Sequence, residues 1–586
     1  SAVAVSLPGM TKKQHIILVI LLGIVMTLVI NLSLTKAIIF GGYLDTKEIL
    51  SGGDYYLSLV NESSRGNWNM GSPFIKEWAD KEYLYPALNI NIAGLFKMVF
   101  NLDLKTASIA LSYLCIFIIA ILAIITFLFV FRFHYFGYLA AAAFMFFPRM
   151  IGWGQVISPQ TNFIFLTLFL LFYFWPVSEP APRTSLGIGV NSNFWKREIG
   201  MAIFAGLLFY TYPYHWTYAL PLLVLTDLWE FFKEKRIDWK RMIKYPVILL
   251  ISSWYLVNLW HISHLSYYRE TMVRIGALYN RLPAGIITQA TIFLFLLVAG
   301  IIYRHIFLKN NFRINFDLSK IIIGLLVTFI VLNQQLITGM QLEFNSHYLP
   351  VIFIFAIALV GALALIFLDN LRYSRFIITI VIWLTVLFFV GRFIYANATA
   401  DFHSRLSAKE LEVIEWLIQN GINNKVIYAP RQLNAPINLL TDNYLYFHDS
   451  EEVHLIPTEE LIDRFTYFDL MNRGITDNLI GQQVNIFGQT FKSSWQKDNV
   501  SNHIKALLSG KSFSPATLES YTKYDFIPIR EKRLNPDLKD FKMHLEKYHV
   551  DYLVYEAKYR NSIYKNVPGI IVFDNGAYII KQWSFK

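Results

Sequence analysis

Long apolar runs alternate with shorter polar segments over the first two thirds of this 586-residue chain. An apolar run of about 17–25 residues is long enough to cross a bilayer as a helix, and the chain offers about eleven of them. We place these spans at 15–34, 106–130, 138–154, 161–176, 199–212, 216–232, 245–262, 286–304, 320–338, 349–368 and 377–395. The pattern therefore predicts a mainly α-helical, polytopic membrane protein.

One apolar run is too short to be counted among the spans. The segment ALNINIAGLFKMVF, which follows Pro86, contains two asparagines and a lysine. Runs of this length are more typical of interfacial or re-entrant segments. We predict that this segment does not cross the membrane.

The pattern changes after Asn397. The runs KVIYA, YLYFH, DYLVYE and GIIVFDN are short, rich in β-branched and aromatic residues, and bounded by turn residues, which predicts strands. Between them, LSAKELEVIEWLIQ and PTEELIDRFTYFDLM have helical spacing and acidic starts. We predict a soluble mixed α/β domain over 397–586, after a membrane domain over 10–396, and interpret residues 1–9 as a cloning remnant.

Composition and charge agree with a membrane protein. The chain is 55% hydrophobic and 16% charged, whereas soluble proteins have about 25% charged residues. Its one cysteine, Cys115, excludes an internal disulfide. The net charge of +11 comes from the membrane part, because the residues from Asn397 onward have 22 Lys+Arg and 23 Asp+Glu. Basic residues spread between apolar runs indicate topology, and we expect no nucleic-acid partner.

The distribution of Lys and Arg between the loops predicts the orientation. With a cytoplasmic N-terminus, six loops that carry Lys and Arg fall on the cytoplasmic side, which is a consistent bias. The 35–105 loop, the 263–285 loop and everything after Asn397 are then extracytoplasmic, which means periplasmic, extracellular or lumenal.

The 35–105 loop is the strongest candidate for chemistry. Asp54 stands between Gly52-Gly53 and the amphipathic run YYLSLV, at the start of a predicted helix. Its carboxylate there suits either a helix cap or a general base that activates a hydroxyl nucleophile. Asp45 is the second candidate base, and Glu77 and Asp80 are expected to be solvated loop charges.

Polar and aromatic residues recur at the outer ends of the spans. Ionisable groups near the membrane are costly and mark candidate sites, although snorkelling side chains and an interfacial aromatic belt are the alternative interpretation. Arg and His suit the phosphate of a lipid headgroup. The predicted lipid-phosphate ligands are Arg269, Arg274, His347, Arg149 and His215. The predicted contacts to sugar or acceptor are Tyr55, Trp68, Tyr214 and Glu343.

Several motifs are missing from the sequence. There is no GxxxxGK[ST] phosphate loop, no HExxH, no paired-cysteine metal spacing and no GxSxG elbow. A nucleotide-sugar enzyme would place a DxD-type acid cluster in a cytoplasmic loop, and the sequence has none.

The order of parts resembles the GT-C superfamily of membrane glycosyltransferases. It consists of a first span, an outer loop with an early aspartate (GGDYY), a GNW turn, a YLYPAL element, the link FFPRMIGWGQVISPQTNF, the pair GLLFYTYPYHWTYALPLLVL and an outer α/β domain. The resemblance implies a polyprenyl- or dolichyl-phosphate-linked sugar donor, inversion at the anomeric carbon, and a role for Asp54 as base or metal ligand. It leaves a divalent cation possible, with Glu270 or Glu343 completing its site.

Two motifs of the superfamily are absent. The sequence lacks WWDYG, the signature of oligosaccharyltransferase catalytic subunits, and the link after the third span lacks the second acid of metal-dependent members. Both differences favour a monosaccharide donor on a lipid phosphate over the transfer of an N-linked oligosaccharide.

These features predict a hexosyl- or pentosyltransferase that acts on the outer face of the membrane. It would transfer a sugar to a hydroxyl of a glycan, lipid or protein acceptor. One alternative is a polysaccharide polymerase or ligase with lipid-diphosphate donors. Another is a transporter of lipids or glycans, although transporters favour inverted repeats and charges at the bilayer midplane, and the sequence has no internal repeat.

Overall fold

The membrane part of the chain folds into apolar helices that pack side by side. The computed structural model describes residues 11–35 apart from 33, 54–146 apart from 85, 86 and 133, 160–176, 192–279 apart from 276 and 277, 300, 318–370 apart from 342–344, 387–395 apart from 389 and 393, 406–470 apart from 469, 502, 505, 506, 509, 510, 512, and 529–583 apart from 530, 534, 560 and 561. The helices described up to residue 370 are α1 (Lys12–Ile30), α2 (Asp54–Ser64), α3 (Leu88–Val99), α4 (Leu104–Val130), α5 (Phe136–Phe146), α6 (Gln160–Phe174), α7 (Ser192–Leu208), α8 (Pro213–Glu234), α9 (Trp239–Met242), α10 (Lys244–Ser263), α11 (Tyr268–Arg274), α12 (Leu318–Leu332), α13 (Gln335–Thr338) and α14 (Leu349–Asn370).

Several of these helices suit a bilayer. Within the described residues, four helical stretches are long and apolar enough to cross a membrane: Lys13–Ile30, Leu104–Val130, Trp239–Ser263 and Leu318–Thr338. Other apolar helices are shorter, among them α3, which covers most of the run after Pro86. Most residues of the predicted spans at 286–304 and 377–395 lie outside the described residues. The mainly helical membrane fold is confirmed, and the number of about eleven spans stays a prediction.

Helix α4 is the centre of the bundle, because α1, α5 and α6 all pack against it. Its buried side chains include Ile116, Ile119 and Phe127. The contact with α5 is close at Gly137, where a Cβ atom would lie 2.9 Å from the backbone of Leu128. Small residues at helix crossings let backbones approach in this way, which increases packing between apolar helices.

The two ends of the helical bundle can be told apart by the residues that lie there, and we name them for later use. At one end, the carbonyl of Tyr210 accepts a hydrogen bond of 2.8 Å from the N–H of Leu88, which starts α3. At the other end, Lys320 Nζ donates to the carbonyl of Tyr173 at 3.1 Å. We call the first the domain end, because the α/β domain packs there, and the second the far end.

A buried ionic network lies at the far end between α7, α8 and α10. Lys244, which is 2% exposed, donates to Asp227 at 2.7 Å and to Glu198 at 3.2 Å. The hydroxyl of Tyr245 also donates to Asp227, and Arg197 pairs with Glu198. Two cations thus balance two carboxylates, which is the condition for keeping charges out of water.

The C-terminal part contains a five-stranded sheet. Its strands are β3 (Val426–Tyr428), β4 (Tyr444–Leu445), β5 (Tyr552–Glu556), β6 (Ile570–Asp574) and β7 (Tyr578–Gln582). Strands β1 (Leu278–Tyr279) and β2 (Met340–Gln341) form a separate two-stranded sheet earlier in the chain. The strand order is β4-β3-β5-β7-β6, and β3 is parallel to both β4 and β5. Strand β7 is antiparallel to both β5 and β6.

Helices flank this sheet. They are α15 (Ala408–Gln419), α16 (Arg431–Leu440), α17 (Thr458–Tyr467), α18 (Leu538–Lys547) and α19 (Ile563–Asn566). Helix α15, which lies in a run predicted to be helical, begins with a capping box between Ser407 and Glu410. Strands β3 to β6 lie within the four predicted runs. The sequence analysis missed β7, α16 and α18, and α16 contains a proline, Pro436, which argues against a helix when only the sequence is considered.

The loop after α2 enters the α/β domain. Phe74 lies in one of its hydrophobic cores, whereas Ile75 and Ala79 lie in another. The N–H of Leu445 in β4 donates to the carbonyl of Phe74 at 2.7 Å. This part of the first loop is therefore packed as a component of the α/β domain.

Glu77 in this loop is exposed, as expected, but it also has a partner that the sequence did not indicate. Its carboxylate, with 34% of the side chain accessible, lies 3.2 Å from the fully buried guanidinium of Arg464, which also pairs with Glu460 at 2.9 Å. The buried cation needs these carboxylates, and a sequence gives no direct sign of a partner almost 400 positions away. Asp80 is exposed, as expected, with 76% of its side chain accessible.

Helices α17 and α18 are joined by a second polar cluster, around Asp463. Its carboxylate accepts hydrogen bonds from His544 at 2.7 Å, Lys547 at 2.6 Å and Tyr548 at 2.6 Å. Burial raises the pKa of Asp463, but these three hydrogen bonds outweigh burial and hold the pKa well below its ordinary value.

We expect Asp463→Asn to destabilise the protein by about 1.5–3 kcal/mol at neutral pH, the range for hydrogen bonds to charged groups. Because the pKa of Asp463 is lower in the folded state, its contribution is complete above the unfolded-state value of about 4 and is lost as the pH falls below it. Thermal unfolding of wild type and variant at pH 7 and pH 3 measures this difference. An equal difference at both pH values would contradict the assignment.

Candidate active site

The structure describes only some of the predicted site residues. Asp45, Arg149 and Glu343 lie outside the described residues. Asp54 is the first residue of α2, but its side chain also lies outside them. Trp68 follows α2 and is 54% exposed.

Three predicted residues meet at the domain end of the bundle. The ring of His347 stacks on that of Tyr214 with 4.7 Å between centroids and 11° between planes. Its Nδ1 is hydrogen bonded to the hydroxyl of Tyr212, whose ring lies 5.1 Å from that of His215. We call Tyr212, Tyr214, His215 and His347 the helix-end cluster.

Local sequence explains how this cluster forms. Pro213 occupies the first turn of α8, where its missing N–H is no loss. Tyr214 and His215 follow in the same turn and are buried. His347 lies in the 3-10 helix Asn345–Tyr348, directly before α14, and Tyr348 reaches back to Thr217 of α8 with 2.8 Å between the hydroxyl oxygens. The cluster is therefore built where α8 begins and α14 is about to begin.

The helix-end cluster is both aromatic and polar. His215 is 1% exposed, and its ring packs edge-on against Phe163 at 5.3 Å. Its Nδ1 has no hydrogen-bond partner in the described structure. Burial lowers the pKa of His347 to about 4, so this imidazole is neutral at pH 7. A group that brings negative charge would find N–H and O–H donors here and would favour protonation of the imidazoles.

A second cluster lies where α2 meets the α/β domain. The hydroxyls of Tyr55 and Tyr83 are 2.6 Å apart, and both rings flank His454, with centroids at 5.5 Å and 5.8 Å. Phe74 stacks on His448 at 3.9 Å and meets His454 edge-on at 6.3 Å. We call these five residues the interface cluster. Tyr55, the neighbour of Asp54 in the sequence, is its predicted member.

The sequence analysis missed the histidines of the interface cluster. They lie in the segment HDSEEVH, where His448, Glu451 and His454 are spaced three residues apart across a 3-10 helix, Asp449–Val453. A period of three puts such residues on one face of a 3-10 helix. That spacing was the available signal.

Burial governs the protonation of these groups. It lowers the pKa of His448 to about 3 with help from Arg431, and that of His454 to about 3 with help from Arg274. Burial raises the pKa of Glu451 to about 8 against the effect of its hydrogen bond from Ser72, which is 2.6 Å long. At neutral pH, both imidazoles of the interface cluster are uncharged, and Glu451, which lies between them in the sequence, is mostly protonated. The interface cluster is therefore nearly neutral.

Arg274 is fully occupied by protein atoms. It is 1% exposed and donates to Thr458 Oγ1 at 2.6 Å and to the carbonyls of His454 and Ile456 at 2.8 Å and 2.7 Å. The neighbouring Glu270 accepts a bond of 3.0 Å from the N–H of Thr458. These bonds attach α11 to the α/β domain. Arg269 is exposed, and its role stays a prediction.

A cation site is not formed by the described side chains. Among them, no group of three or more His, Cys, Asp or Glu residues is placed to hold a metal ion. The carboxylates of Asp54 and Glu343, two of the cation ligands that the resemblance implies, lie outside the described structure, and the third, Glu270, accepts a hydrogen bond from Thr458.

Comparisons with known proteins place this fold. No model of a protein family and no curated protein matches the chain. Two structures of the oligosaccharyltransferase AglB from Archaeoglobus fulgidus match 94% of this chain and 70% of their own, each at 11% identity. The one tethered to an acceptor peptide with the NVT sequon has a TM-score of 0.51, and the one with an inhibitory peptide and a dolichol-phosphate has 0.50. ArnT from Cupriavidus metallidurans bound to undecaprenyl phosphate matches 97% of this chain and 98% of its own, at 13% identity and a TM-score of 0.44.

Sequence identity this low shows the fold and leaves the activity open. The likeness to AglB nevertheless extends over both the helical bundle and the C-terminal part, because it covers 94% of the chain. The chain therefore has the fold of the oligosaccharyltransferase AglB, which agrees with the resemblance seen in the order of its sequence motifs.

Proposed function

We propose that this protein is a membrane glycosyltransferase that transfers a sugar from a polyprenyl-phosphate carrier to a hydroxyl group. The observation that supports this most strongly is the helix-end cluster, in which buried Tyr214 and His215 meet half-buried Tyr212 and His347 at the domain end of a GT-C-like bundle. The membrane orientation belongs to the proposal, with the domain end facing the periplasm, cell exterior or lumen.

The helix-end cluster would hold the lipid phosphate. AglB, which shares the fold, has a solved structure in complex with an inhibitory peptide and a dolichol-phosphate. Here, Tyr212, His215 and His347 supply polar hydrogens next to apolar helices, so that a phosphate can bind while its lipid tail stays in the bilayer. Protonation of an imidazole by the arriving anion would make these hydrogen bonds charge-assisted and stronger. Arg149 and Arg269 are proposed as additional ligands.

The proposed reaction is a single displacement. A carboxylate takes the proton of the acceptor hydroxyl. Asp54 is the preferred candidate for this base, and Asp45 is the alternative. The electron pair that remains on the acceptor oxygen attacks the anomeric carbon. The bond between that carbon and the phosphate oxygen breaks, and the carrier phosphate leaves with the electron pair of that bond. The configuration at the anomeric carbon inverts. Donors at the helix-end cluster stabilise the charge that develops on the leaving phosphate.

The acceptor would bind between α2 and the α/β domain. Tyr55 is half-buried at the start of α2, and aromatic faces suit the apolar faces of sugar rings. Trp68 offers an exposed indole just beyond the same helix. We infer that a glycan, lipid or protein approaches from this side.

The proposal is tested by sugar transfer with purified protein in detergent. Radiolabelled polyprenyl-phosphate sugars are supplied as a panel, and the release of polyprenyl phosphate is followed. We expect wild type to consume at least one donor. We also expect His347→Ala to raise the KM for that donor by about 10-fold or more, the effect of losing a hydrogen bond to a charged group.

Thr338→Ala is the matched control, because this exposed hydroxyl on α13 near the domain end donates to Gln334 within its own turn and belongs to neither cluster. It should leave the KM unchanged. Saturable binding of polyprenyl phosphate without turnover of any donor would favour a transporter instead. Turnover confined to polyprenyl-diphosphate sugars would favour a polymerase or ligase. Absence of both binding and turnover would reject the phosphate site.

A further inference from the structure

Helix α2 lies between the membrane helices and the α/β domain. Its buried Leu57 and Val60 share one hydrophobic core with Ile90 of α3, Leu111 of α4 and Leu439 of α16. Apolar packing is non-directional, so this core brings α2 to the domain without defining its exact position. The polar contacts of the helix supply that definition.

Glu62 is a buried carboxylate in the last turn of α2. It is 2% exposed and accepts hydrogen bonds from Arg65, from Asn67 at 2.6 Å and from Tyr444 of β4 at 3.3 Å. A charge this deeply buried is tolerated only when a cation and several hydrogen bonds compensate it. Arg65 is that cation.

Arg65 also reaches the α/β domain. Its second guanidinium nitrogen lies 2.5 Å from the carboxylate of Asp442, which accepts another hydrogen bond from Asn61 at 3.1 Å. Asp442 has a φ of 51°, in the left-handed region that aspartate tolerates better than most residues. Its carbonyl accepts a 3.0 Å hydrogen bond from the N–H of Asn424. The carboxylate that receives Arg65 is thus held by a tight turn of the sheet domain.

We propose that Arg65 is a positioning residue. Through Glu62 and Asp442, it fixes α2 relative to the α/β domain, and with α2 it fixes the general base, which is Asp54 at the start of the helix or Asp45 before it. This inference rests on the proposed function for its effect on the reaction. It implies that the α/β domain takes part in transfer, because the general base keeps its place only while this network is intact. A displacement of about 1 Å in a reacting group can cost about 10²-fold in rate.

Arg65→Met keeps much of the side-chain volume and removes the charge. We expect kcat for sugar transfer to fall by about 10- to 100-fold, with the KM for the lipid donor unchanged. Hydrogen exchange of the α2 amides should become faster, while exchange in α4 stays as in wild type. Arg65→Lys should recover part of kcat, because it restores the charge without the planar fork.

Two further variants keep the test decisive. In Arg65→Met, the buried carboxylate of Glu62 loses its cation, which can impair folding by itself. The double variant Arg65→Met with Glu62→Gln removes that carboxylate as well and relieves this defect, while the ion pair with Asp442 stays broken. Arg236→Met is the matched control, since Arg236 is 77% exposed at the far end. It should alter neither exchange nor kcat.

The possible outcomes separate this inference from the proposed function. Unchanged exchange in α2, or faster exchange with unchanged kcat, would overturn the positioning role. A rise in KM alone would also overturn it, since Arg65 would then be a substrate contact. If wild type turned over no donor, the proposed function would fail, and the exchange measurement would still decide whether the network holds α2.

Discussion

Asp54→Asn is expected to lower the rate of sugar transfer by about 10²–10⁴-fold, the usual contribution of a general base. The amide has the same shape as the carboxylate but cannot accept the proton of the acceptor hydroxyl. Since Asp54 begins α2, the competing interpretation is a helix cap. Asparagine caps helices about as well as aspartate, so this substitution removes the base and keeps any cap.

Two companions make the result interpretable. Asp54→Ala removes both the base and the cap, and a cap is worth about 0.5–2 kcal/mol. If Asp54→Asn were fully active and Asp54→Ala were less stable, Asp54 would be a cap and no base. Asp45→Asn tests the other candidate, and a loss of transfer in that variant alone would assign the base to Asp45. Thermal unfolding in the same detergent shows which variants remain folded.

The membrane fold was predictable because hydrophobicity acts locally. A bilayer imposes a length and an apolar composition on each span, and both are legible without knowing what the span touches. Helix α4, the centre of the bundle, matches its predicted span of 106–130 to within two residues at its start. Helix α3 has 12 residues, and its exclusion from the spans stays a prediction.

Site residues were predictable from the sequence only where polar groups lie at the ends of apolar runs. His215, His347 and Tyr214 stood out because polar groups at the ends of apolar runs need an explanation, and the structure brings these three together. His454 and Glu451 had no such contrast with their surroundings, because they occur in the polar segment HDSEEVH, away from the apolar runs. Their burial depends on tertiary contacts with Phe74 and Ser72, which no local pattern contains.

A similar limit applies to charges. The sequence distributes Lys and Arg in a way that predicts sidedness, but it does not tell which of them are buried. Lys244 directly precedes the predicted span 245–262 and so belongs to a loop predicted to be cytoplasmic, yet it is almost inaccessible. Arg464 is a fully buried cation inside the α/β domain. Pairing over long sequence distances decides both cases, and only the folded chain shows it.

Lys244→Met is expected to destabilise the protein by about 3–5 kcal/mol, the cost of removing one partner from a buried ionic group. The methionine fills similar space, so the loss comes mainly from charge. Asp227 would keep only the hydroxyl of Tyr245, and its carboxylate would remain 8% exposed without its cation. Thermal unfolding in detergent, followed by intrinsic tryptophan fluorescence, measures the change.

Charge balance can be restored without the lysine, which separates electrostatics from packing. In Lys244→Met with Asp227→Asn, the remaining pair is Arg197 and Glu198, so the network is again neutral. Replacing a whole buried pair is often neutral or stabilising, whereas breaking one is not. The double variant should therefore regain most of the lost stability. Lys240→Met, at an exposed lysine of α9, should change nothing. If the double variant were as unstable as Lys244→Met alone, the aliphatic packing of the lysine between α7, α8 and α10 would be the cause, and its charge would not.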